Sequence, residues 1–181
     1  GLSVSLRPSP NVRLAFEPSF SNTHALAQYV TSQADPAATG TFGRRYVFSN
    51  LDQRVASPTT RVDWTFTPRM SLQVYLQPLV VSGHYSDFKE FKSPRDFVFA
   101  VYGRDQGSIV RDDITGTVTI DPGNGALIQF DDPDFNFRSL LGNAVLRWEY
   151  RPGSTLFFVW QHRRTGFESI GDFELGRDVS A

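Results

Sequence analysis

Residues 62–77 read VDWTFTPRMSLQVYLQ, and their alternation decides the fold class. Val62, Trp64 and Phe66 share one parity, while Asp63, Thr65 and Thr67 share the other. After Pro68 and Arg69 the pattern resumes, with Leu72, Val74 and Leu76 set against Ser71, Gln73, Tyr75 and Gln77. Side chains alternate between faces at period two only in a β-strand. Proline fixes its own φ and donates no hydrogen bond, so it suits the tight turn between two strands. The stretch therefore predicts an antiparallel hairpin turning around residues 67–70.

The pattern occurs twice more. Leu2, Val4 and Leu6 precede Pro8 and then Val12, Leu14 and Phe16; Leu146, Trp148 and Tyr150 precede Pro152 and then Leu156, Phe158 and Trp160. The turn prolines Pro8, Pro68 and Pro152 lie 60 and 84 residues apart. If the three turns share one end of a sheet, the chain crosses the sheet an even number of times between them. Two crossings fit each interval. The first holds strands over 11–31 and 41–66 around a loop with Asp35, Pro36 and Gly40; the second holds strands over 71–86 and 138–151 around an insertion at 87–137. Inside the insertion, Asp121, Pro122, Gly123, Asn124 and Gly125 predict a turn between strands at 117–120 and 126–130, a small surface hairpin.

Short turns at one end and long loops at the other are the asymmetry of outer-membrane barrels, whose periplasmic turns are short and extracellular loops long. The expected fold is all-β, an antiparallel up-and-down meander of about six long strands forming part of a transmembrane β-barrel over residues 1–181. The smallest single-chain barrels have about eight strands, so an open fragment is expected, completed by the remaining strands of the same full-length barrel. Residues 1–6 carry no initiating methionine and no signal-peptide pattern, which predicts a start after processing or within a larger protein.

Composition narrows the function classes. With 18 basic and 19 acidic residues the formal charge is -1, and no field draws the chain to nucleic acid. Cysteine is absent, which excludes disulfides, thiolate metal sites and a cysteine nucleophile. No window reaches the roughly 18 to 20 continuous apolar residues of a spanning helix. Sixteen Phe, six Tyr and three Trp, with 14 Gly and 11 Pro, suit aromatic strands broken by turns.

A soluble β-sandwich would give the same alternation, with a second sheet covering the apolar face. The large amphipathic aromatics near the short turns favour a membrane-interface girdle instead. The expected lipid-facing set is Leu14, Phe16, Val62, Trp64, Phe66, Leu72, Val74, Leu76, Trp148, Tyr150, Leu156, Phe158 and Trp160. The expected lumen-facing charges are Arg13, Glu17, Asp63, Arg147, Glu149 and Arg151, which could pair across strands.

Four blocks carry a family likeness: residues 43–53 (GRRYVFSNLDQ), 65–78 (TFTPRMSLQVYLQP), 82–91 (SGHYSDFKEF) and 132–161 (DPDFNFRSLLGNAVLRWEYRPGSTLFFVWQ). They resemble the C-terminal barrel region of a widespread bacterial family classed as a domain of unknown function. Full-length members of that family carry an N-terminal module similar to family-nine carbohydrate-binding domains. The resemblance implies the bacterial outer membrane and its lipid as partner, with any glycan bound through the missing module. It implies no reaction and no catalytic residue. It also implies a closing aromatic strand beyond Ala181.

No catalytic, cofactor or metal site is assigned. His24, His84 and His162 form no short ligand motif. Ser82, His84 and Ser86 could share a strand face, yet no GxSxG elbow accompanies them. Asp112, Asp113, Asp121, Asp131, Asp132 and Asp134 lack calcium-loop spacing and read as turn formers. Arg44 with Arg45, and Arg163 with Arg164, read either as solvated loop charges or as contacts to lipopolysaccharide phosphates. The functional expectation is a membrane anchor or pore. The alternatives are an outer-membrane hydrolase whose active site lies mostly outside this chain, and a soluble ligand-binding sandwich.

Overall fold

A computed structural model describes residues 2–168; the expectation about the chain beyond Ala181 lies outside them. The strands are β1 (Val4–Ser9), β2 (Val12–Glu17), β3 (Phe20–Ala34), β4 (Arg44–Ala56), β5 (Thr59–Thr67), β6 (Met70–Phe91), β7 (Phe99–Val101), β8 (Ser108–Asp112), β9 (Thr117–Asp121), β10 (Ile128–Asp131), β11 (Phe135–Arg151) and β12 (Ser154–Glu168). Every ladder between them is antiparallel. The protein is all-β, an up-and-down meander that forms an open sheet.

The main sheet runs β1-β2-β5-β6-β11-β12, with β3 on β4 and β4 on the far half of β6. β2 and β3 are thus two halves of one crossing, and β4 and β5 two halves of the next. Both breaks are proline sites, Pro18 and Pro58, and they lie side by side, bridged by the Ser57 N–H donating to Ser19 O at 2.9 Å. Pro78, inside β6, sits where its neighbour changes from β5, paired up to Leu76, to β4, paired from Val80. A proline is tolerated in this long central strand because the ladder on that side is already interrupted.

The turns at Pro68–Arg69 and Pro152–Gly153 close hairpins at one end of the sheet, where Met70 pairs with both Thr67 and Trp148. The first hairpin turns at the same end, since Val12 pairs with Trp64. Its turn residues are Pro10 and Asn11, not Pro8, which is the penultimate residue of β1. An edge strand can hold Pro8 because its missing N–H faces no ladder partner.

The opposite end carries residues 35–43 and the segment between β6 and β11. That segment is shorter than expected because β6 continues to Phe91 and β11 begins at Phe135. Within it, β8 joins the anticipated hairpin of β9 and β10 to make a three-stranded sheet, order β10-β9-β8. The main hydrophobic core lies here. Val47, Phe88, Tyr102, Val118, Ile120 and Ile128 are buried together, with Val30, Tyr85, Ile109 and Phe130 packed around them.

Candidate functional site

Register fixes which side chains share a face. Val12, Trp64, Leu72, Leu146 and Phe158 form one row across five strands, and Leu14, Val62, Val74, Ala144 and Trp160 form the next. Phe16 and Leu76 extend this face one row further, and Trp148 with Leu156 starts it near the turns. Phe66 and Tyr150 fall at register shifts, but their rings pack on Trp64 and Trp148, with centroids 4.5 and 6.3 Å apart. All thirteen residues expected on the apolar face therefore share it. None is buried, and Phe158 and Trp160 are 56% and 53% exposed.

Five of the six expected lumenal charges lie on the other side, whereas Arg151, paired with Ser154 beyond a register shift, falls on the face of Leu156, and the charges do not pair as anticipated. Arg13 and Asp63 are cross-strand neighbours, whereas Glu17 faces Thr59, Arg147 faces Ser71 and Phe157, and Arg151 faces Ser154. Glu149 accepts the Gly153 N–H at 3.0 Å and so holds its turn. Among the described residues no ion pair joins any of the six. Arg61, Gln73, Tyr75 and Asn143 complete a polar groove on this face, with the Arg61 guanidinium over the Tyr75 ring at 5.6 Å.

Beyond Pro78 the two faces exchange character. On the face that carried Leu76, the continuing rows are Asn22, Arg54, Ser82 and Asn136, then His24, Asp52 and His84. On the face that carried Tyr75, they are Val55, Val81, Phe137 and Phe167, then Leu51 and Tyr85. Register is unbroken from Met70 to Ser86, so parity alone does not cause the exchange. One extra residue in β6, Asp87 at φ 50°, then shifts the register and brings Phe88 into the core beside Tyr85.

The small sheet covers this second apolar face, and polar anchors fix it. From β8, Arg111 reaches Asp132 with both Nε (2.9 Å) and Nη2 (2.5 Å), Asp134 with Nη2 (3.0 Å) and the Tyr85 carbonyl with Nη1 (2.9 Å). Burial pushes the Asp132 carboxyl up, but the Arg111 fork outweighs it and holds the group below its ordinary range. Asp134 accepts from the Tyr85 N–H at 2.6 Å and contacts His84 Nδ1 at 2.7 Å. A second anchor centres on Arg45, 4% exposed, whose guanidinium meets Asp35 at 2.6 Å, Glu90 at 2.7 Å and the Asn124 side chain at 2.7 Å. The Arg45 hydrogen bond holds the Asp35 carboxyl below the usual aspartate range. Beside Glu90, burial drives the Tyr102 hydroxyl well above the ordinary tyrosine range. From β3, Gln33 Nε2 donates to Leu127 O at 2.9 Å.

Several residues singled out in the sequence thus have structural work. Arg45 is neither a solvated loop charge nor a phosphate contact, because its fork is consumed by buried partners. Arg44 donates to Ser32 Oγ at 2.9 Å. Asp112 and Asp121 accept from the Ile114 and Gly123 N–H groups as turn formers do. Ser82, His84 and Ser86 do share a face, but Ser82 is buried. Sequence reasoning missed Arg111 and Glu90 altogether and read Asn124 only as a turn residue, since their partners are remote in the chain.

No protein-family model, curated protein or solved structure matches the chain. The functional reading therefore rests on these faces alone.

Proposed function

We propose that this chain forms part of the wall of a bacterial outer-membrane β-barrel, acting as a membrane anchor or a pore. The exchange of polarity at Pro78 carries this reading. From Met70 to Val80 the outward side chains of β6 are Met70, Leu72, Val74, Leu76, Pro78 and Val80, and Ser82 and His84 follow. Ten residues at ~3.3 Å each, on a strand tilted by about 40°, span about 25 Å across a bilayer, the height of the apolar band of such barrels. The turn-end aromatics supply one interfacial girdle. Above the band the same face turns polar, as a wall leaving lipid for water must.

In this reading the thirteen apolar-face residues meet outer-membrane lipid. Arg13, Glu17, Asp63, Arg147 and Glu149 face the lumen, Arg151 sits on the outer face at the turn, and the turns at Pro10–Asn11, Pro68–Arg69 and Pro152–Gly153 are periplasmic. The remaining strands of the same full-length barrel pair with the free edges, because unpaired backbone groups are costly in lipid. The family likeness adds a glycan as a further partner, held by a separate module.

The absence of cysteine permits a clean test. Single cysteines at Val74, Phe158, Gln73 and Ser86 in the full-length protein are probed in outer-membrane fragments, where a water-soluble maleimide reaches both ends of the wall. Gln73→Cys and Ser86→Cys should react, and Val74→Cys and Phe158→Cys should not. Equal labelling at Val74 and Gln73 would overturn the lipid-facing assignment and favour a soluble sheet.

A further inference from the structure

We infer that the three-stranded sheet β8–β10 caps the lumen at the long-loop end, so that the barrel is a closed or narrowed channel and not an open pore. This rests on the barrel reading above. A barrel that closes with Leu72, Val74 and Leu76 outward must line its lumen with the opposite parity, Gln73, Tyr75 and Gln77. That parity continues without a register break through Val81 and Gly83 to Tyr85. Tyr85 packs at the core beneath Val118, Ile120 and Ile128, and its carbonyl accepts from Arg111. The small sheet is therefore seated on the lumenal side of the wall, above the apolar band.

Its seating is rigid. Gln33 on β3, Arg45 on β4 and Tyr85 on β6 each hold it, so three successive wall crossings contribute anchors. A loop tethered only at its ends would swing with solvent, whereas a sheet with a buried apolar face, one buried guanidinium fork and one partly buried fork stays in place. Beneath it lie Arg61, Asp63, Gln73, Tyr75 and Asn143, a polar chamber that a solute would reach only from the turn end or by displacing the cap.

The test uses the full-length protein in planar lipid bilayers, with heat-modifiable gel migration as an independent measure of a folded, inserted barrel. Three forms are compared: the natural protein, a form with residues 108–131 replaced by a short Gly-Ser linker, and the double variant Arg45→Ala/Arg111→Ala, which keeps the chain length. The natural protein should conduct weakly, the linker form should show a severalfold higher conductance, and the double variant should flicker between the two levels. If the linker form does not fold, the double variant decides. A folded, heat-modifiable protein that conducts equally with and without its cap overturns the inference while leaving the barrel standing. Failure of the natural protein to become heat-modifiable removes the barrel reading and the inference together.

Discussion

The turn end and the loop end of this sheet are built from the same strands, yet their apolar faces point in opposite directions. At the turn end the apolar side carries Trp64, Leu72, Val74, Phe158 and Trp160, and no other part of the described chain covers it. At the loop end the apolar side carries Val47, Tyr85 and Phe88, and it is sealed by Val118, Ile120 and Ile128, of which Val118 and Ile120 are 0% exposed. Burial of apolar surface is favourable wherever it is achieved, by roughly 25 cal/mol per Å². One end achieves it within the chain. The other leaves its apolar face uncovered, and the polarity exchange at Pro78 marks the boundary between the two ends.

The largest effect expected from this contrast comes from charge on the outward face. Val74→Arg in the full-length protein should abolish assembly, since Arg at the midplane of a barrel costs about 2–4 kcal/mol. Ser86→Arg, on the same face above the band, should assemble normally. Heat-modifiable migration reads both, and equal tolerance of the two substitutions would erase the distinction between the ends.

The complementary substitution is Ile120→Ala. It should destabilise the cap by about 3 kcal/mol through the cavity it leaves, and membrane assembly should be untouched. Hydrogen exchange at the β9 amides should rise while exchange in β6 below Pro78 stays unchanged. Loss of protection in both regions would mean that the two ends are one cooperative unit.

A smaller loss is expected for Arg111→Ala, about 2 kcal/mol for charge-assisted bonds removed from partly buried aspartates. Asp132→Asn should cost less, because one oxygen of its fork is kept. Limited proteolysis of residues 107–131 ranks the two, and the reverse order would move the anchor from Arg111 to another group.

The mildest expected effect is that of acid. Asp35 and Asp132 both ionise more readily in the folded protein than their ordinary value of 3.8. Their contribution is complete above that value and is lost as pH falls below it through the depressed folded values. Cap protection should accordingly weaken below about pH 4, with the turn-end wall unaffected, since none of its apolar residues titrates. Weakening that begins near neutrality would point to a group other than these carboxylates.

Much of the wall was legible before any coordinates. Val62, Trp64 and Phe66, and Leu72, Val74 and Leu76, alternate in the sequence because each strand residue faces opposite its neighbour, and that rule needs no partner. The turns at Pro68 and Pro152 are readable for the same local reason, whereas the expectation of a turn at Pro8 fails because Pro10, two residues on, starts the actual turn. The expected charge ladder failed because alternation assigns a face but not a neighbour, and neighbours depend on register between strands. β8 was not recognised because five residues, Ser108–Asp112, are too few to establish a period.

By itself, the sequence determined the strand class, the parity of the strands beside the three short turns and their shared turn end, all of which follow from dihedral preferences and side-chain alternation within a few residues. Tertiary structure alone decided which apolar face the chain covers for itself. Arg45 meets Asn124, and Arg111 meets the Tyr85 carbonyl, only because the insertion folds back onto one face of β4 and β6. Contacts of that kind join residues up to 94 positions apart, as between Gln33 and Leu127. Their free energy comes from desolvating both partners together, which no local pattern records.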